Sequence, residues 1–137
     1  MKSFLDSSAF AKRFIDESGS EKVEAICSRA SELGLSVICV PEIVSALNRR
    51  LRERLLTHAQ YGEAKRRLLD DVRDADIIHL TPSVVGSAIR VLEASPVRAM
   101  DALHIACALE WGAELFASSD TQQLHAARRV GLKTQQT

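Results

Sequence analysis

AMDALHIACALEWGAELFASSD, residues 99–120, is the stretch that decides the fold. Asp101, Ala102, Ile105, Ala108 and Leu109 recur at helical spacing, and Gly112 is the residue type that most readily ends a helix. Leu115 to Ala117 follows as a short apolar strand. Asp120 then opens another helix that runs to Val130 and stops at Gly131. Helix, tight turn, buried strand and helix again is the rhythm of a parallel sheet covered by its own crossover helices.

The same rhythm extends upstream. Ser3 to Leu5 is an apolar approach to Asp6, and a brief helix is expected over Ser8 to Phe14 before the Glu17-Ser18-Gly19-Ser20 break. From Ser20 to Leu33 the residues Val23, Ile26, Cys27, Ala30 and Leu33 share one helical face, with Gly34 read as the stop. Ser36 to Val40 is a β-branched run suited to a strand buried on both faces. Pro41 fits the first turn of a following helix, which puts Glu42 in that turn. An arginine-rich helix continues through Ile43, Leu47, Leu51 and Leu55, and a second from about His58 to Arg73 pairs with it as a hairpin. Ile77 to Leu80 reads as a strand, Pro82 to Ala94 as a helix closed by Ser95-Pro96, and Leu132 to Thr134 as an edge strand. The expected fold is α/β: one domain over residues 1–137, a parallel β-sheet flanked by α-helices on both faces.

Composition narrows the function classes. With 46% hydrophobic residues in 137, the chain suits a core that buries about two-thirds of the unfolded surface. Eighteen basic and eighteen acidic side chains cancel, so any nucleic-acid binding must come from local patches. Cys27, Cys39 and Cys107 sit in apolar stretches without CxxC or zinc-finger spacing and read as buried free thiols. The odd cysteine count, the acid met early in MKSFLDSSAF and apolar runs far shorter than the ~18 residues of a membrane span lead to an expected cytoplasmic location.

Four acids carry the chemistry: Asp6, Glu42, Asp101 and Asp120. Two of them close an apolar run and Glu42 follows one across a proline, so a parallel sheet carries three acids to the edge where open α/β sheets bind ligands. Asp101 opens a helix that follows another helix, and spacing alone does not bring it there. Taken singly, an Asp in such a place is ordinarily an N-cap, and Asp120 suits that role. Taken together, the acids suit Mg2+ or Mn2+. These are hard cations bound by carboxylate and water oxygens that activate water and offset charge on a phosphodiester. Neighbouring carboxylates without metal should also raise one another's pKa, so metal binding is expected to weaken below about pH 5.

FLDSSAFAKRF followed by ESGSE resembles the start of a PIN-domain protein, with the first acid closing strand one. PEIVSALNRR resembles that family's second acidic motif, AMDALHIACALEWGAELFASSD its third and fourth, and LHAARRVGLK its closing helix and strand. The resemblance spans nearly the whole chain, and among PIN proteins it is greatest to the VapC-type toxins. It implies a metal-dependent endoribonuclease with Mg2+ or Mn2+ held by Asp6, Glu42, Asp101 and Asp120, RNA as substrate, a cognate antitoxin protein and a homodimer. It also places Asp101 in the shared pocket. Ser118 falls near a hydroxyl position often found before the last acid, and Ser8 stands where many members have Asn.

Around these acids, Ser8, Lys12, Arg49 and Ser118 are candidate substrate contacts. Lys12, six residues after Asp6, is placed to meet a phosphate, although a lysine on a short surface helix is ordinarily solvated. Arg49 lies two helical turns beyond Glu42 on the same face. His104, one turn after Asp101, reads as a core histidine with a hydrogen bond rather than a ligand. The helix pair from Glu42 to Arg73 has more leucines than one core stripe needs and is the candidate antitoxin surface. Two other readings remain. A haloacid-dehalogenase-like phosphohydrolase needs a second Asp where Ser8 stands, which disfavours it. A PIN-fold binding module without cleavage is weakened by the intact quartet.

Overall fold

Lys2–Leu5 forms β1, the middle strand, and its two ends of side-chain alternation define the molecule: Phe4 and Leu5 are both fully buried, on opposite faces. The computed structural model describes all 137 residues. Five strands form one sheet in the order β3-β2-β1-β4-β5, where β2 is Glu32–Ser36, β3 Asp76–Ile78, β4 Leu115–Ser118 and β5 Thr134–Gln136. Every neighbouring pair is parallel. The chain leaves β1 toward β2 and β3, then returns to the other side of β1 as β4. That reversal makes the carboxyl ends of β1 and β4 the topological switch point, the place where such sheets bind ligands.

The helices are α1 (Ser7–Phe10, continued by a 3-10 turn at Ala11–Arg13), α2 (Ser20–Arg29), α3 (Cys39–Arg52), α4 (His58–Asp71), α5 (Pro82–Ala94), α6 (Ala99–Trp111) and α7 (Thr121–Arg129). Phe4 and Phe116 pack with Val84, Val91, Ile105 and Leu124 from α5 to α7 on one face. Leu5 and Ala117 pack with Phe10, Val23, Ile43 and Leu68 from α1 to α4 on the other. The expected parallel sheet with helices on both faces is therefore what forms. No helix is long and apolar enough to cross a membrane.

The largest departure from the sequence reading is the second strand. It occupies Glu32–Ser36 rather than Ser36–Val40, and α2 ends at Arg29 rather than Leu33. Gly34 is not a helix stop. It lies inside β2, paired with Phe4, because the Trp111 ring covers it so closely that a Cβ there would meet Cζ3 at 2.7 Å. The β-branched run begins a helix instead: Ile38 is its N-cap, and Cys39, Ile43 and Leu47 form a buried stripe at four-residue spacing. Smaller shifts move β3 forward to Asp76–Ile78 and β5 onward to Thr134–Gln136, since Leu132 is drawn into the core. Gly112 closes α6 at φ 81°, in the left-handed conformation expected of it.

Candidate active site

Asp6 follows β1 directly and is only 3% exposed. It caps α1: Oδ1 accepts from the Ala9 amide at 2.9 Å and from Ser8 Oγ at 2.8 Å, while Oδ2 accepts from Ser118 Oγ at 2.6 Å. Burial pushes its pKa up, and the hydrogen bonds from Ser118 and Ala9 partly oppose that. Ser118 ends β4, the neighbouring strand, so the pairing of β1 with β4 sets this carboxylate in place.

Glu42 stands in the first turn of α3, where the Cys39, Ile43 and Leu47 stripe turns it toward the end of the sheet. Its Oε1 accepts from Ser7 Oγ at 2.7 Å and from His104 Nε2 at 2.5 Å. Partial burial pushes the carboxyl up, but the His104 and Ser7 hydrogen bonds outweigh it and hold the group below the usual range. Asp101 is in the first turn of α6 and its carboxylate makes no hydrogen bond within the chain. Burial and then the Asp120 charge raise its pKa, with Asp6 and Glu42 adding to the repulsion. Asp120 caps α7, with Oδ1 accepting from the amides of Gln122 at 2.9 Å and Gln123 at 3.4 Å. Its Oδ2 is left without a partner.

Glu42, Asp101 and Asp120 line one open cleft of about 430 Å³ together with Arg98, Met100 and Gln122. Asp6 is buried behind them and is felt at Asp101. The structure thus brings together the four acids that sequence singled out, including the one whose position spacing left open. Packing does this: Gln123, 1% exposed, donates its Nε2 to the Asp101 carbonyl at 3.2 Å and ties α6 to α7. The donors are all carboxylate oxygens, the choice of a hard divalent cation. No three of them close into a preformed coordination shell.

The supporting residues fall differently. Ser8 and Ser118 both donate to Asp6 and neither lines the cleft; Ser118 is fully buried, whereas Ser8 is exposed. Lys12 is 8% exposed rather than solvated, its ammonium beside Gly19 and Thr137 and not among the residues lining the cleft. Lys12 lies in the 3-10 turn that continues α1, on the side that meets the start of α2. Arg49 is exposed in the last turn of α3, also outside the cleft lining, because α3 carries it away from Glu42 along the helix axis. His104 is buried as expected for a core histidine, yet its partner is Glu42. Sequence reasoning missed Arg98, Gln122 and Ser7. Ser7 was signalled only by its adjacency to Asp6, and Arg98 only by its place three residues before Asp101.

The family whose profile matches residues 3–129 is the PIN domain, and the chain belongs to it. Among curated relatives, ribonuclease VapC45 of Mycobacterium tuberculosis is 30% identical over 109 residues, covering 80% of this chain and 76% of that protein. Two solved structures share the fold at low identity. VapC20 of Mycobacterium tuberculosis, described as a Sarcin-Ricin loop cleaving toxin, has a TM-score of 0.70 at 16% identity and covers 95% of each chain. VapBC2 of Rickettsia felis, bound to a DNA fragment from its promoter, has a TM-score of 0.71 at 11% identity, covering 100% of this chain and 99% of that one.

Proposed function

We propose that this protein is an endoribonuclease that uses Mg2+ or Mn2+ and serves as the toxin of a toxin-antitoxin pair in the cytoplasm, with residues 1–137 acting as one nuclease domain. The observation that carries the reading is the cleft at the switch point. It gathers Glu42, Asp101 and Asp120 in front of buried Asp6, with the pKa of Asp101 raised first by burial and then by the acids around it. Likeness to a relative named a ribonuclease and to a toxin described as cleaving the Sarcin-Ricin loop gives the reaction class.

Asp6, Glu42, Asp101 and Asp120 would hold the ion, each in its own way. Asp6 is fixed by three donors, Glu42 and Asp120 keep one oxygen free, and Asp101 keeps both. A bound ion of this kind activates water and neutralises phosphate charge. Arg98, the cation on the cleft lining, would take a phosphate oxygen of the RNA backbone and orient the strand. Water then adds to phosphorus as the P–O3′ bond breaks, leaving a 3′ hydroxyl and a 5′ phosphate. His104 is too enclosed at 2% exposure to act on the substrate's 2′ hydroxyl. The chemistry of the product ends tests this. We expect 5′ phosphates on cleaved RNA, and 2′,3′-cyclic phosphates with 5′ hydroxyls would refute the hydrolytic reading.

Two surfaces support the partners. A groove of about 570 Å³ between the α3–α4 hairpin and residues 14–16 exposes Leu55, with half-buried Leu56 below it, beside Arg50 and Arg67. It suits an amphipathic antitoxin segment. On α5, Val85, Ile89 and Leu92 are exposed at helical spacing, 47%, 50% and 41%, a stripe suited to a homodimer contact.

A further inference from the structure

The two oxygens of the Glu42 carboxylate are not equivalent. Oε1 receives both Ser7 Oγ and His104 Nε2, and Ser7 Oγ itself lies 3.2 Å from Nε2, so the three groups form one closed cluster. Oε2 receives no donor, and the Glu42 side chain, 32% exposed, is part of the cleft lining. His104 comes from the core face of α6, one turn beyond Asp101, and its Nδ1 is buried with no partner at all. An unpaired buried polar atom is destabilising, and an aliphatic side chain would fill this place without it. The imidazole's polar contacts are confined to Nε2, which meets Glu42 and Ser7. A carboxylate only accepts, so Nε2 carries the proton, and this fixes the ring's tautomer.

We propose that Ser7 and His104 are positioning residues: a two-donor clamp that holds Glu42 by Oε1 and presents Oε2 to the divalent cation. This rests on the metal reading given above. The clamp freezes a flexible glutamate before the ion arrives, so less ordering is left to be done on binding. Outer partners of this kind ordinarily change metal affinity on the order of 10- to 100-fold when removed. Asp6 is held comparably by Ser8, Ser118 and Ala9, whereas Asp101 has no such support. Glu42 is thus the acid from the helical layer of the α1–α4 side that is made rigid by the opposite layer.

Calorimetric titration of the metal-free full chain with Mn2+ alone, without RNA, tests the clamp. His104→Leu keeps apolar volume but removes the donor, and we expect Mn2+ affinity to fall roughly 10- to 100-fold. His104→Gln returns an amide donor near the position of Nε2 and should bind within a few-fold of the unmodified protein. Ser7→Ala, at a partly buried position outside the apolar core, should bind several-fold more weakly. In a Glu42→Gln background, His104→Leu should cost nothing further, because its effect runs through that carboxylate. Unchanged affinity in His104→Leu, or equal losses in the Leu and Gln forms, would overturn the clamp. If His104→Leu does not fold, Ser7→Ala decides, and wild-type affinity there refutes the proposal. No Mn2+ binding by the unmodified protein would instead overturn the metal reading, and the clamp with it.

Discussion

Asp120 has two roles that substitution can separate. Its Oδ1 caps α7 through the amides of Gln122 and Gln123, and its charge raises Asp101 across the cleft. Asn is as good an N-cap as Asp, whereas Ala loses about 1 kcal/mol, in a range of 0.5–2. A chain of this length unfolds with an entropy of about 0.3 kcal/mol/K, so the lost cap corresponds to a fall in Tm of about 3–4 °C. In chelator, Asp120→Ala should therefore melt about 3–4 °C below Asp120→Asn. Asp120→Asn should melt no lower than the unmodified protein, since the Asp120 share of the repulsion at Asp101 is removed. Mn2+ at ten times its Kd should stabilise the unmodified protein by about 1.4 kcal/mol, or roughly 5 °C. Both variants should lose most of that gain. Thermal unfolding followed by circular dichroism, with chelator and with Mn2+, reads all of this. Equal melting of the two variants would refute the capping role, and a full metal gain in Asp120→Asn would refute the ligand role.

Other outcomes follow from the same geometry. Asp101 is an acid with a raised folded-state pKa, so its ionisation penalises the fold above that pKa, and the penalty fades on acidification and is gone below the ordinary 3.8. Asp101→Asn should thus melt above the unmodified protein at pH 7 in chelator, and a Tm difference that persists unchanged at pH 4 would contradict this. Arg98→Ala, an exposed change on the cleft lining, should raise KM for RNA several-fold with kcat and Tm little altered, as steady-state cleavage and melting will show. The proposed homodimer through the α5 stripe predicts that Ile89→Asp sediments as a monomer where the unmodified protein sediments as a dimer, and equal sedimentation of the two would refute that contact.

Much of this architecture could be read from spacing because local rules and tertiary packing agree there. Pro82 starts α5, Gly112 ends α6, and Asp6 and Asp120 stand at the ends of β1 and β4. Reading failed where the reason for a residue lies far away in the chain. Gly34 has the look of a helix stop, but it is small because Trp111 packs on it. The run Val37 to Val40 has strand propensity, yet the buried stripe through Cys39, Ile43 and Leu47 wins it for a helix. Asp101 was placed in the cleft only by resemblance, since the α6–α7 tie through Gln123 has no local signature. The apolar surroundings of His104 in the sequence mark it as a core residue, which its burial bears out, but a partner 62 residues away is invisible to periodicity. Helical spacing points Arg49 toward the cleft but ignores how far α3 travels, and the closeness of Lys12 to Asp6 in sequence ignores how short α1 is.

Cleavage of total and transfer RNA by the purified protein, in Mg2+, in Mn2+ and in chelator, beside Asp6→Ala and Asp101→Asn, addresses the central claim most directly. We expect cleavage with either metal, none in chelator and none by either variant. Cleavage that survives chelation or persists equally in both variants would show that these carboxylates are not the site of a metal-dependent ribonuclease.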